Sequence, residues 1–260
     1  MTLGNPVGPD VANCLIVKLR NLGLDSDERR AFLSLFKWTH AIRRGDEIVR
    51  AGKSLKVLTV MLSGVACRYR ITDNGRRQIF AFQYAGDFCD YCRYVMPQRD
   101  DAVSALTDSI VGVIPYAGFE RIVERHPQIS VAFWRNAVLE ARIFEERVSN
   151  ATQRPAVERI ATLLCEQIFR LEAVGIVSDV VPLMQIDIAD AAGLSSVHVN
   201  RTIQDLRELG ALSKNCPGIK VENKDRLVQI AKFDASYLEG FWTRLDRRQE
   251  LAGRCHKAAD

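Results

Sequence analysis

Between residues 185 and 209, two apolar patterns of helical spacing meet at Gly193-Leu194-Ser195, and this junction restricts the fold more tightly than any other segment of the 260-residue chain. Ile188, Leu194, Val199, Ile203 and Leu206 can share one small core if residues 185–194 and 196–209 form two crossing helices. Ala189 permits the close crossing, and Gly193, four residues later, can take the positive φ of a tight interhelical turn. Ser195 is a natural N-cap for the second helix.

At 100° per residue, the second helix turns Val199, Thr202, Ile203 and Leu206 inward and leaves Val197, Asn200, Arg201 and Gln204 outward. Those side chains suit a DNA major groove. Arg201 can grip guanine O6 and N7, Asn200 or Gln204 can read adenine, and Val197 can meet a thymine methyl. Ser195, Ser196 and His198 lie at the helix start, where free N–H groups favour phosphates. Beyond the helix, residues 211–215 and 219–222 bracket Cys216-Pro217-Gly218 as a small hairpin, a wing that offers Lys214, Asn215 and Lys220 to phosphates. The Ala-x-x-x-Gly spacing alone also fits two packed helices with no such role. The polar outer face and the wing together favour double-stranded DNA as the partner.

The rest of the chain divides by texture. Residues 25–36 open with Asp25, Ser26 and Asp27 and then space Phe32, Leu33 and Phe36 helically, which predicts a short helix. From Trp38 onward, short apolar runs broken by Gly45, Gly52 and Gly64 predict successive strands. Residues 65–71 and 78–82 flank Asp73-Asn74-Gly75, which predicts a hairpin with a type I′ turn. Runs at 103–106 and 110–114 bring the expectation to roughly eight strands, enough for a jelly roll. After Pro127 the period becomes helical, with Ile129, Phe133, Ala137, Glu140, Ile143 and Val148 on one side of a connector helix reaching about residue 150. Further apolar residues, among them Val131, Trp134, Val138 and Phe144, predict a second packing surface, for which a partner helix in a homodimer is the leading reading. Pro155 opens another helix, over 156–171.

The expected fold class is therefore α+β: a jelly-roll sensor over 1–126, a connector and dimerisation helix over 127–153, a winged helix-turn-helix over 154–233 and a helical tail over 234–260. In the tail, Leu238, Phe241, Trp242 and Leu245 fall at helical spacing and can dock on the body or on a partner.

Together with Leu62-Ser63-Gly64, Gly86-Asp87-Phe88 and the long helix, the segment Gly193-Leu194-Ser195-Ser196-Val197-His198-Val199-Asn200-Arg201 resembles the Crp/Fnr family of bacterial regulators. The resemblance spans nearly the whole chain. It implies a cyclic-nucleotide-binding-like jelly roll and a homodimer that reads a palindrome in successive major grooves, with RNA polymerase as a further partner. The family's well-known Arg-Glu pair early in the reading helix is replaced here by Ser196 and Val197, so the resemblance implies a different half-site. Asp87 and Arg99 occupy candidate effector-pocket positions. Yet Asp100 and Asp101 follow Arg99 where a phosphate-binding Arg-Ser would stand, which argues against cyclic AMP. Only Cys14 lies near the N-terminus, which argues against an iron–sulfur cluster of the Fnr type. The cofactor or effector stays unknown at this stage.

Seven scattered cysteines do not form a disulfide framework. Cys89-Asp90-Tyr91-Cys92 reads first as two structural thiols, with a redox pair or half a metal site as the alternatives. Zinc normally wants four ligands and the pattern has no second half, so no metal site is assigned. The net charge of +4 gives the DNA reading little support, because residues 154–233 hold ten basic and ten acidic side chains. No Walker loop, Gly-x-Ser-x-Gly, His-Glu-x-x-His or dinucleotide fingerprint occurs, so no catalytic residue is assigned and no enzyme is expected. Without an apolar run of membrane length or a secretory pattern in residues 1–10, the expected location is the cytoplasm. The competing reading is a cyclic-nucleotide-type sensor or regulatory subunit with no role on DNA.

Overall fold

A computed structural model describes residues 9–52, 56–97, 99–214 and 218–241. The chain begins with α1 (Pro9–Asn21), which the sequence pattern did not suggest, and α2 (Ser26–Leu33). Asp25 caps α2 by accepting from the backbone N–H groups of Asp27 at 2.8 Å and Glu28 at 2.9 Å, while Glu28 accepts from the Asp25 N–H. The helix ends three residues short of Phe36. By Lys37 the backbone is already bonded to Val113 O at 3.1 Å, and that sheet contact outcompetes the helical spacing.

Seven strands follow among the described residues: β1 (Trp38–Ile42), β2 (Glu47–Val49), β3 (Val57–Ser63), β4 (Val65–Ile71), β5 (Arg77–Tyr84), β6 (Ala102–Ala105) and β7 (Ser109–Pro115). They form two antiparallel sheets, ordered β1-β7-β3 and β2-β6-β4-β5, and the loop after β5 returns to the first sheet, where Phe88 makes an isolated bridge with Val60 of β3. Met61 and Val111 from one sheet meet Val49, Ala66 and Val103 from the other, so the sandwich closes over its own small core.

The β4–β5 hairpin forms where the Asn-Gly signal lies, but with a different turn. Ile71 pairs with Arg77, Gly75 N–H donates to Thr72 O at 2.8 Å, and Gly75 alone in the loop has positive φ, at 77°. A type I′ turn needs positive φ at Asn74 as well; the observed loop is a type I turn closed by a left-handed glycine.

Helix α3 (Cys92–Val95) and α4 (Tyr116–Arg125) flank the sandwich, and α5 (Gln128–Gln153) runs along it. The buried stripe of α5 is Ile129, Ala132, Asn136, Leu139, Ile143 and Asn150, rotated from the predicted one. Two asparagines occupy it, each donating to a glutamate four residues away on the same helix, Asn136 to Glu140 at 3.2 Å and Asn150 to Glu146 at 3.4 Å. Residue polarity therefore disguised the buried face. Phe133 still packs inward, with its ring 4.6 Å from that of Phe88.

Helix α6 (Ala156–Ala173) starts the C-terminal unit, and its Ile160, Leu164 and Ile168 belong to the same buried apolar cluster as Phe82 and Tyr84 of β5. The result is one continuous apolar cluster from the second sheet into the helical unit. Each fully buried Leu or Phe in it contributes about 2 kcal/mol relative to exposure. The chain then forms β8 (Val180–Val181), α7 (Gln185–Ala192), α8 (Ser196–Glu208), β9 (Ile219–Lys220) and α9 (Lys224–Ala231). A final 3₁₀ segment, Ala235–Phe241, buries Tyr237 and Leu238 against the core shared by α1 and α5, so this part of the tail docks on the body. The tail is 3₁₀ rather than α-helical there; Trp242 and Leu245 lie outside the described residues. No helix among the described residues is long and apolar enough to cross a membrane.

Candidate nucleic-acid interface

The junction at Gly193 has the geometry its sequence demands. Gly193 ends α7 in the left-handed region, at φ 65° and ψ 34°, where a side chain would be strained. Two residues on, Ser195 caps α8, its hydroxyl accepting from the His198 N–H at 3.2 Å. Ile188, Val199, Ile203 and Leu206 are fully buried between the two helices, and Thr202 is buried beside them.

That packing fixes which way the rest of α8 points. Ser196, Val197, His198, Asn200, Arg201 and Gln204 are all exposed, Val197 by 81%. An apolar β-branched side chain so open to water has no packing role in the isolated chain. Asn200 donates through Nδ2 to Gln185 Oε1 at 3.0 Å, which sets the orientation of its amide. Its Oδ1 and second N–H are the pair of groups that adenine N6 and N7 require. Gln185, at the start of α7, was missed from sequence because the spacing that relates it to Asn200 exists only once the two helices cross.

The wing differs in its pairing from the expected simple hairpin. β9 pairs with β8, Val180 opposite Lys220 and Val181 opposite Ile219, while Leu212 forms an isolated bridge with Val221. The Val-rich stretch after α6 is thus a third strand of the wing sheet. A β-branched pair before a proline gives too short a signal for sequence reasoning to find it. Lys214 is exposed, whereas Lys220 makes an ion pair with Asp179 at 3.1 Å. Asn215 and Cys216 lie outside the described residues.

The β-sandwich grips this unit directly. Arg77, at the start of β5, pairs with Asp187 at 2.6 Å and Asp190 at 2.7 Å on α7, and Gln78 donates to Asp190 O at 3.0 Å. Arg147 of α5 pairs with Glu166 of α6 at 2.7 Å, and the Tyr84 hydroxyl bonds to Gln167 at 2.9 Å. No local pattern marks Arg77 for this role, because its partners lie more than a hundred residues away.

Asp87 is buried, and both of its oxygens are occupied. Oδ1 meets Lys18 of α1 at 3.0 Å; Oδ2 meets Arg170 of α6 at 2.7 Å and the Tyr84 N–H at 3.0 Å. Burial alone would raise its pKa, but Lys18 and Arg170 outweigh it and hold the carboxyl below the usual carboxylate range. Arg99 is fastened to Asp101 by two bonds, at 2.9 and 3.0 Å. Asp87 and Arg99 both line a cavity of about 250 Å³ between β5, α5 and Arg170. The residues present do not suit a cyclic nucleotide. The carboxylate that would meet a ribose is already neutralised by two cations, and the arginine that would meet a phosphate is chelated by a carboxylate.

Cys89 and Cys92 face different surroundings. Cys89 is buried in the sandwich core, where burial, with Asp90 and Asp87 nearby, pushes its thiol well above the ordinary value. Cys92 is half-buried and lines the 250 Å³ cavity. Both are free thiols. Cys255 lies outside the described residues.

A β-sandwich fused through a long helix to a winged helix-turn-helix with a polar outer face defines a DNA-binding transcription regulator with a sensor-type β-domain. Known proteins agree at both ends. Residues 39–126 match the family model described as a cyclic nucleotide-binding domain, and residues 158–230 match that of a Crp-like helix-turn-helix domain. A probable transcriptional activator of Rhizobium leguminosarum bv. viciae is 28% identical over 198 residues, covering 74% of this chain and 82% of the relative. The fumarate and nitrate reduction regulatory protein of Escherichia coli (strain K12) is 26% identical over 192 residues, covering 73% and 77%. The solved structure of FixK2 from Bradyrhizobium japonicum superposes with a TM-score of 0.67 at 26% identity, covering 76% of this chain and 98% of that one. The chain belongs to the Crp/Fnr family of transcription regulators.

Proposed function

We propose that this regulator works in the cytoplasm as a homodimer on a palindromic operator, reads each half-site through the outer face of α8, and answers to a signal received at its β-domain. The observation that carries the reading is the division of α8 itself: Val199, Thr202, Ile203 and Leu206 buried, with Val197, Asn200, Arg201 and Gln204 exposed. Arg201 reads guanine, Asn200 or Gln204 reads adenine, and Val197 meets a thymine methyl. Ser195, Ser196, His198, Lys214 and Lys220 approach phosphates or base edges.

Dimerisation is supported by α5. Val131, Trp134, Val138 and Val148 lie exposed along it at spacings of three, four and ten residues, Trp134 by 73%. That is one seam in a coiled-coil register, on the side away from the sandwich. RNA polymerase is the further partner this reading assigns. The occupied state of Asp87 and Arg99 supports a signal other than a cyclic nucleotide. Cys92 rather than Cys89 is the thiol that a redox signal would reach.

The reading is tested at Arg201. On operator DNA, Arg201→Ala should weaken specific binding by about 1–3 kcal/mol and relax preference at one guanine per half-site, with non-specific affinity nearly unchanged. Fluorescence anisotropy at fixed salt on matched and single-base-substituted duplexes measures both. Unchanged discrimination at every position would remove α8 from the role of reader.

A further inference from the structure

The two helices that cross at Gly193 also bring two amides together. Asn200, the fifth residue of α8, donates through Nδ2 to Oε1 of Gln185, the first residue of α7, at 3.0 Å. Gln204, the ninth residue of α8 and the other candidate for adenine, is exposed, and its amide has no partner among the described residues. Gln185 itself sits on a fixed support. It is half-buried in the first turn of α7, and Asp187 ties that turn to the β-domain, accepting from the Met184 N–H at 3.1 Å through Oδ2 and pairing through Oδ1 with Arg77 at 2.6 Å.

An amide pair of this kind has a built-in ambiguity. If both side chains turned over together, Gln185 Nε2 would donate to Asn200 Oδ1, and the oxygen and nitrogen of Asn200 would exchange places. A phosphate removes the ambiguity. The first helix of a helix-turn-helix crosses the DNA backbone, and Gln185 stands at its start. Phosphate oxygens only accept, so a phosphate beside Gln185 draws Nε2 to itself and leaves Oε1 for Asn200. Asn200 then has one N–H committed to Gln185, with Oδ1 and the remaining N–H for adenine N6 and N7. Polarity passes from backbone to amide to base edge, in the orientation that the free protein already holds. Gln204 would have to give up the freedom of an unrestrained side chain on binding, a cost that Asn200 has partly met before DNA arrives.

We propose that Gln185 is a positioning residue for base recognition: braced on a backbone phosphate through Nε2, it holds the Asn200 amide through Oε1, so that Asn200 and not Gln204 reads the adenine. The proposal rests on the reading of α8 as the helix in the major groove, and adds to it the side chain that sets one base preference.

The probe is the duplex that the full-length native protein enriches from a random library, with its single-base-pair variants, measured by fluorescence anisotropy at fixed salt. The native protein should prefer adenine at one position of each half-site by on the order of tenfold. Asn200→Ala should abolish that preference, and Gln204→Ala should leave it. Gln185→Ala should cut it several-fold while the guanine preference assigned to Arg201 holds, which a loosened domain would not allow. Adding Gln185→Ala to Asn200→Ala should remove no further discrimination at that position. Gln185→Glu is the rescue: a carboxylate only accepts, so it holds Asn200 in the same way, but it repels the phosphate. That variant should keep the adenine preference and bind every duplex more weakly by a common factor. With Arg201→Ala still relaxing the guanine preference, an intact adenine preference in Gln185→Ala, or one lost in Gln204→Ala and kept in Asn200→Ala, would overturn the proposal alone. If Arg201→Ala and Asn200→Ala both leave every position unchanged, the reading of α8 falls and the proposal with it.

Discussion

At the scale of single residues, the clearest chemistry sits where a polar group has been buried with partners chosen for it. Asp90 shows this in a form that can be titrated. Burial pushes its carboxyl up to about 6, although it accepts from the Thr59 N–H at 2.7 Å and the Thr59 hydroxyl at 2.9 Å. A carboxyl whose folded pKa lies above its unfolded value binds its proton more tightly in the folded chain. Stability from this group is therefore full below about pH 4 and is lost as pH rises toward 6, with a span on the order of 3 kcal/mol. Asp90→Asn keeps a similar shape and can keep both contacts to Thr59, so its urea-unfolding stability should lack that fall between pH 4 and 6. A fall in the variant equal to that of the native protein would show that other groups produce it. Asp87, three residues earlier in the same loop, behaves oppositely because two cations overcome its burial.

At the scale of elements, α8 was legible in the sequence because its constraints are local. Gly193 needs a left-handed turn, Ser195 caps the next residue's helix, and the 3.6-residue period sorts inward from outward side chains without help from the rest of the chain. The strands were legible for the same reason, through glycine punctuation. What stayed hidden depends on distant partners: β8 needs β9 to become a strand, Gln185 needs Asn200, and the stripe of α5 contains Asn136 and Asn150, whose polarity concealed their burial. The candidate site divides in the same way, with the exposed face of α8 visible from spacing and its support by Arg77 invisible. Helix α5 supplies the prediction at this scale. Val138, 56% exposed in the middle of the proposed seam, should tolerate Glu in the monomer but not between two helices. Val138→Glu should shift the protein toward monomer in sedimentation equilibrium and weaken operator binding by at least tenfold, while its thermal unfolding stays within a few degrees of native. A dimer of undiminished strength would place the interface elsewhere.

At the scale of the whole molecule, the β-domain and the helix-turn-helix are mechanically joined rather than tethered. An apolar cluster runs from β5 into α6, and Arg77, Asp87 and Arg147 each carry an ion pair from the β-domain or α5 onto α6 or α7. A shift of the sandwich against α5 pulls on α7 through Arg77, and with it on α8, which is the physical route that the proposed signalling would take. In the proposed reading, geometry rather than net charge carries DNA recognition, because the C-terminal unit holds as many acidic as basic side chains. The most direct test of that claim is enrichment of operator sequence from a random duplex library by the full-length protein at fixed salt. The geometry predicts a palindrome whose half-site centres lie about 34 Å apart, one turn of the double helix. Recovery of no preferred sequence, or of a single half-site without its inverted repeat, would contradict the account.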